Sequence, residues 1–283
     1  MGLFSRSERH SISQPEKSST ECPPQQEPVY TSSDTKDIPF DNCNAGSFTT
    51  TFASLSMHMT DRIRLMKFPQ HITQIVRQAI LESWPEGIQD TREYCGSYEF
   101  KLRGNPWNAI SDEAVHSRRL MNAILEALFN NGWLLSLSTD VSKKITDKDT
   151  LIFRHQDPEP APHQWLAVSF SRTDRIRFYD APSELLEDVC RQFLPHTEKD
   201  GPFRLAGVYE IKLKGSPWFA SGNESMYGRS LLLDLITVME KHGFTVYASI
   251  DQKSASSDTS GETDTWHCCR AIGWTPGAPV FHI

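Results

Sequence analysis

The residues best suited by type to do chemistry stand together near the end of the chain, as Trp266-His267-Cys268-Cys269-Arg270. A cysteine beside a histidine suggests a thiolate nucleophile with its base, or a pair of metal ligands. If the segment is a strand, neighbouring side chains point to opposite faces, so His267 and Cys268 cannot meet. No third ligand or base stands at a useful spacing. The segment therefore reads as a buried strand in which cysteine is a small apolar residue. No catalytic residue, metal site or cofactor is expected.

Two further motifs each occur twice. Thr60-Asp61-Arg62-Ile63-Arg64 recurs as Thr173-Asp174-Arg175-Ile176-Arg177. Strand alternation puts Arg62 and Arg64 on one face, and Arg175 and Arg177 likewise. Paired guanidiniums suit phosphate or carboxylate groups. They also suit a solvated sheet face, where they would pair with Glu99 and Glu210 across strands. Gly-x-Pro-Trp ends in Trp107 and again in Trp218. Each tryptophan is either a platform for a stacked ligand or a plug where strand turns into helix, and large aromatics at such junctions usually pack. Glu113 with Arg118, and Glu224 with Arg229, are spaced five apart. That spacing is poor for a helical ion pair, and Glu113 reads as a first-turn carboxylate favoured by the helix dipole. The N-terminus Met1-Gly2-Leu3-Phe4-Ser5-Arg6-Ser7 offers Gly2 for N-myristoylation, although Arg6 stands where the motif wants Ser or Thr.

The elements that must position these residues come as a duplication. Tyr98-Glu99-Phe100-Lys101-Leu102 matches Tyr209-Glu210-Ile211-Lys212-Leu213, and the match runs without a gap through Asp140 and Asp251. Agreement over two ordered blocks marks an internal repeat. Each copy reads as strand pair, helix, strand, longer helix, strand pair. Pro69 and Pro182 open the first helix, with Ile72, Val76 and Ile80 matched by Leu185, Val189 and Phe193 on its core face. Tyr98, Phe100 and Leu102 alternate with Glu99, Lys101 and Arg103, so one sheet face is expected packed and the other wet. The longer helix spans about 112–130 and about 223–241, with Leu120, Met121, Ile124, Leu125 and Leu128 matched by Leu231, Leu232, Leu235, Ile236 and Met239. Leu125 and Ile236 are expected at the core centres. Gly132 and Gly243 stop the two helices. The expected fold is α+β, mainly antiparallel: a disordered tail over 1–44, one unit over 45–156 and a second over 163–283. A Pro-rich joint, Asp157 to Pro162, separates the units, and the segment from Gly273 onward is expected as a turn and then an edge strand.

Composition narrows the function. Asp and Glu number 36 against 29 Lys and Arg, a net charge of -7, which argues against a nucleic-acid partner. No apolar run reaches the roughly 20 residues that span a bilayer, no secretory h-region is visible, and the 6 scattered cysteines form no disulfide or zinc pattern. A cytoplasmic setting follows. A duplicated unit presents two similar faces, so the expected function is a non-enzymatic interaction or scaffold protein whose partner is a protein. Arg62, Arg64, Arg175, Arg177, Trp107 and Trp218 are the candidate binding residues. One alternative is a peripheral protein on an anionic membrane surface, tethered through Gly2. Another is an enzyme working in the groove between the units.

Overall fold

The computed structural model describes residues 49–140, 148–252 and 264–280. The tail expected over 1–44, with Gly2, lies outside them. The first copy runs β1 (Phe52–His58), β2 (Arg62–Met66), α1 (Gln70–Ser83), β3 (Ile88–Tyr94), β4 (Ser97–Leu102), α2 (Ser111–Phe129), β5 (Trp133–Thr139) and β6 (Thr150–His155). The second repeats the series as β7 (His163–Ser171), β8 (Arg175–Tyr179), α3 (Ser183–Phe193), β9 (Thr197–Pro202), β10 (Val208–Leu213), α4 (Ser225–Lys241), β11 (Thr245–Ile250) and β12 (Thr265–Ala271). Each copy builds an antiparallel six-stranded sheet, in the orders β3-β4-β2-β1-β6-β5 and β9-β10-β8-β7-β12-β11.

The expected α+β duplication is thus the observed architecture, with one omission. Each sheet has an edge strand, β3 or β9, that the alternation pattern does not announce. Ile-Gln-Asp-Thr-Arg-Glu-Tyr and Thr-Glu-Lys-Asp-Gly-Pro are polar because an outer strand buries little. A tight hairpin joins β3 to β4 through Cys95 and Gly96, both at positive φ, the backbone that a two-residue turn between twisted strands requires.

The two copies stack in layers. Leu120, Met121, Ile124, Leu125 and Leu128 of α2 pack with α1 on one face of the first sheet, and all five are fully buried. The opposite side of α2 meets the second sheet. Val115 packs with Ala167, Tyr179 and Val208, and Phe129 lies edge-on to Trp165 and Tyr247. The second sheet is therefore covered on both faces, by α2 on one and by α3 and α4 on the other. Its strands show this: six consecutive residues of β7, Trp165 to Phe170, are buried. Continuous apolar runs of that kind belong to sheets packed on both sides.

α4 has no such double cover. It starts at Ser225, after a short 3-10 turn over Gly222–Glu224, rather than near residue 223. Ile236 is only half-buried, and so is Leu232; the core centre in this helix falls on Leu235 and Met239. A sheet covers α4 on one side only, so its apolar stripe is narrower than that of α2. The segment after Gly273 is described only to Val280, so the end of it, where an edge strand was expected, lies outside the described residues. Among the described residues it forms turns and no strand, and Trp274 folds back with its Nε1 donating to the carbonyl of Ala278 at 3.2 Å.

Candidate functional site

The arginines meet their glutamates across the strands. Arg64 stands opposite Glu99 in the β2–β4 register, and Arg177 opposite Glu210 in β8–β10. In the first copy Arg62 Nη1 donates to Glu99 Oε1 at 2.5 Å and Arg64 Nε to Oε2 at 2.7 Å. A third guanidinium, from Arg92 on β3, donates to Oε1 at 2.8 Å. The Tyr94 ring lies beneath Arg64, 4.1 Å from ring centre to guanidinium. Glu99 is buried by this roof, so the sheet face expected to be wet is closed at its centre. Burial alone would push the Glu99 carboxyl up. Hydrogen bonds from Arg64, Arg92 and Arg62 outweigh it together and hold the carboxyl below its ordinary range.

The second copy repeats the pair and lacks the third arginine. Arg175 Nη1 and Arg177 Nε both donate to Glu210, Arg177 at 2.6 Å, with the Phe203 ring 4.1 Å from the Arg177 guanidinium. Gly201 of β9 stands opposite Glu210, where Arg92 stands opposite Glu99. Asp61 and Asp174 lie 3.6 and 3.5 Å from Arg62 and Arg175. Two arginines therefore face two carboxylates in the second copy. In the first, three arginines face two, and the surplus charge sits on Arg92, the most exposed of them.

Trp107 and Trp218 hold equivalent junctions. Each indole N–H donates to the backbone carbonyl of the first arginine, Arg62 at 3.0 Å and Arg175 at 3.1 Å. Trp107 is fully buried. Trp218 is partly open and borders an open cleft of about 590 Å³ with Phe170 and Trp266. The corresponding Met57 and Leu151 of the first copy are buried in its core. Arg118 is buried while Arg229 is exposed on the rim of that cleft, its Nη1 donating to the Ser225 carbonyl at 2.9 Å. Glu113 sits in the first turn of α2, as the dipole favours, and Glu224 just before α4.

His267 and Cys268 face opposite ways, as their adjacency on a strand requires. Cys268 is sealed in the core between the second sheet and its helices, where burial pushes its thiol well up. His267 is fully buried against α2: its Nδ1 lies 2.6 Å from Asn122 Oδ1 and its Nε2 2.9 Å from Gln252 Nε2. An amide oxygen on one side and an amide NH₂ on the other assign the proton to Nδ1. Burial, helped by the Arg118 charge, lowers the imidazole pKa to about 3. Among the described residues no group of His, Cys, Asp and Glu could hold a metal ion, and no helix is long and apolar enough to cross a membrane.

Between the copies lies a polar cleft of about 440 Å³, bordered by His116, Arg119 and Glu126 of α2 and by Trp165 and Asp180 of the second copy. Sequence reasoning named the groove and none of its residues. Arg119 grips Asp180 with two hydrogen bonds, of 2.8 and 2.6 Å, and donates to the Ala206 carbonyl at 2.7 Å. Burial pushes the Glu126 carboxyl up. The signal for Asn122, Arg119 and His267 was the repeat itself: their counterparts Leu233, Ser230 and Ile152 differ in kind, as surfaces with different neighbours must.

One protein-family domain model matches the chain twice, over residues 51–154 and 164–269. The matches cover most of the chain, which belongs to that family and carries two tandem copies of its domain. No curated protein matches. Among solved structures, the crystal structure of a conserved kinetoplastid-specific protein from Trypanosoma cruzi is similar at 17% identity, over 38% of this chain and 97% of that one, with a TM-score of 0.28.

Proposed function

We propose that this chain is a non-enzymatic cytosolic interaction protein whose arginine faces bind carboxylate-bearing segments of a protein partner. The convergence of Arg62, Arg64 and Arg92 on the single buried carboxylate of Glu99 carries the reading. Each guanidinium has five N–H donors. Arg64 and Arg92 each place only their Nε on Glu99, so their terminal N–H groups remain for a second carboxylate. Glu99 and Tyr94 fix these side chains in advance, which lowers the entropy lost on binding. The second copy, with its charges balanced, is the weaker of two similar contacts.

A protein segment is favoured over an anionic membrane because the chain as a whole is acidic, with a net charge of -7. A lipid surface repels that total charge, whereas a short acidic segment meets the local surplus. The buried states of His267 and Cys268 support the non-enzymatic part of the reading. An enzyme in the cleft between the copies is a second reading, with one observation in its favour: the raised pKa of Glu126 suits a general acid. Arg119 of the cleft is already engaged with Asp180, which weakens the cleft as an anion site.

Fluorescence anisotropy of a labelled glutamate-rich peptide tests the proposal, with sedimentation of phosphatidylserine vesicles alongside. Peptide binding should be salt-sensitive, weakened by Arg92→Gln, and abolished by Arg62→Gln, Arg64→Gln and Arg92→Gln together. Arg175→Gln with Arg177→Gln should weaken it less. Vesicle binding without peptide binding, or binding indifferent to these arginines, overturns the reading.

A further inference from the structure

The chain makes one interface between its copies and leaves a counterpart of each half of that interface bare at its ends. The covered half on the second sheet is a register row: Ala248, His267, Ala167, Tyr179 and Val208, on β11, β12, β7, β8 and β10. All five are buried. The same row on the first sheet reads Leu137, Ile152, Ser54, Met66 and Ser97, on β5, β6, β1, β2 and β4; Leu137 and Met66 are exposed, Ile152 and Ser54 half-buried and Ser97 buried. Here Leu137 is 48% exposed where Ala248 is 5%. Phe52 on the neighbouring row is 49% exposed, where its counterpart Trp165 is 7%.

The helical half behaves in the same way. Val115 and Asn122 of α2, one heptad apart, lie against the second sheet. Their counterparts on α4 are Met226 and Leu233, 62% and 67% exposed. Asn122 needs its polar partner His267; the equivalent leucine on α4 has no use for one. At the equivalent place on the first sheet the histidine is likewise replaced, by Ile152. The two exposed ends have thus changed together, from amide and imidazole to leucine and isoleucine. That pairing is the chemistry expected if α4 of one molecule lies on the first sheet of another, with a hydrophobic contact in place of the buried hydrogen bond.

We infer that the protein associates head to tail with a second copy of itself, the Met226–Leu233 face of α4 docking on the Phe52–Leu137 side of the first sheet. The occupant is a copy of this chain because the chain already shows this helix-on-sheet packing between its own repeats. The interface is heterologous: each molecule uses one face at either end, so association continues beyond a dimer unless the geometry closes a ring. It uses β1, β5, β6 and the ends of β2 and β4, and the arginines that converge on Glu99 stand on the rows beyond it. It therefore stands or falls apart from the proposed acidic partner.

Sedimentation velocity of the full chain at several concentrations tests it, with two double variants, Met226→Glu with Leu233→Glu and Phe52→Glu with Leu137→Glu. Wild type should shift to faster-sedimenting species, beyond dimer or to a closed ring, as concentration rises. Each variant alone should stay monomeric. An equimolar mixture of the two should form a dimer and nothing larger, because one good helix face and one good sheet face remain between them. All four sites are exposed, so circular dichroism should report a native fold; if a glutamate variant fails to fold, the serine substitutions at the same sites replace it. A wild type that stays monomeric throughout, variants that associate as wild type does, or a mixture that stays monomeric overturns the inference.

Discussion

His267 of β12 reaches from the second copy into the first, and its Nδ1 sits 2.6 Å from Asn122 Oδ1 on α2. The imidazole is buried and neutral, with a pKa lowered to about 3 against roughly 6.5 in an unfolded chain. A base with a depressed folded pKa contributes its stability above the unfolded value and loses it as pH falls, because the unfolded chain takes up the proton first. Between about pH 7.5 and about pH 5 the loss should be roughly 2 kcal/mol from this group alone. Urea unfolding across that interval measures it. A His267→Gln variant should show a shallower decline, and an equal decline in both proteins would remove His267 from the account.

Glu99 and Glu210 should differ in weight. Both accept from a pair of arginines, but Glu99 is more deeply buried and serves a third. Replacing Glu99 by Gln should destabilise by about 1–3 kcal/mol, and the same change at Glu210 by less. Chemical denaturation of the two variants decides the order. Equal costs would mean that the Arg92 contact and the added burial contribute nothing.

Equivalent leucine and isoleucine positions should also separate. Leu125 is fully buried in α2, and Leu125→Ala should cost about 2–5 kcal/mol. Ile236 is half-buried in α4, so Ile236→Ala should cost only about 1–2 kcal/mol. Matching losses, measured by thermal or denaturant unfolding, would contradict the one-sided cover of α4.

These contrasts mark what the sequence could and could not carry. The duplication, the inner helical stripes and the arginine–glutamate pairing were legible, because they depend on periodicity and on strand alternation. β3 and β9 were not, since an edge strand buries too little to impose a pattern; Gly96 after Cys95 was the available hint of a hairpin. The burial of Asn122 and His267 was hidden for a different reason. Both look like surface residues within their own elements, and they meet each other across 145 positions of sequence. Ile236 was misplaced because a sheet covers α4 on one side only, so fewer of its apolar positions are buried than of those on α2.

Thiol chemistry should follow burial. Cys95 is exposed in the β3–β4 turn, whereas Cys268 and Cys269 are buried, with burial pushing the Cys269 thiol up to about 12. Native protein treated with a thiol reagent and mapped by mass spectrometry should be modified at Cys95, with Cys268 and Cys269 protected until unfolding. Rapid labelling of Cys268 in native protein would show an accessible thiol beside His267 and reopen a catalytic reading.

The sharing of α2 between both sheets makes the two copies one cooperative unit, because unfolding the second copy would strip the cover from Val115, Asn122 and Phe129. Hydrogen exchange followed by mass spectrometry over a urea series resolves the copies separately. Residues 51–154 and 164–269 should lose protection at the same urea concentration. Loss of protection in 164–269 while 51–154 stays protected, α2 included, would contradict the shared layer directly.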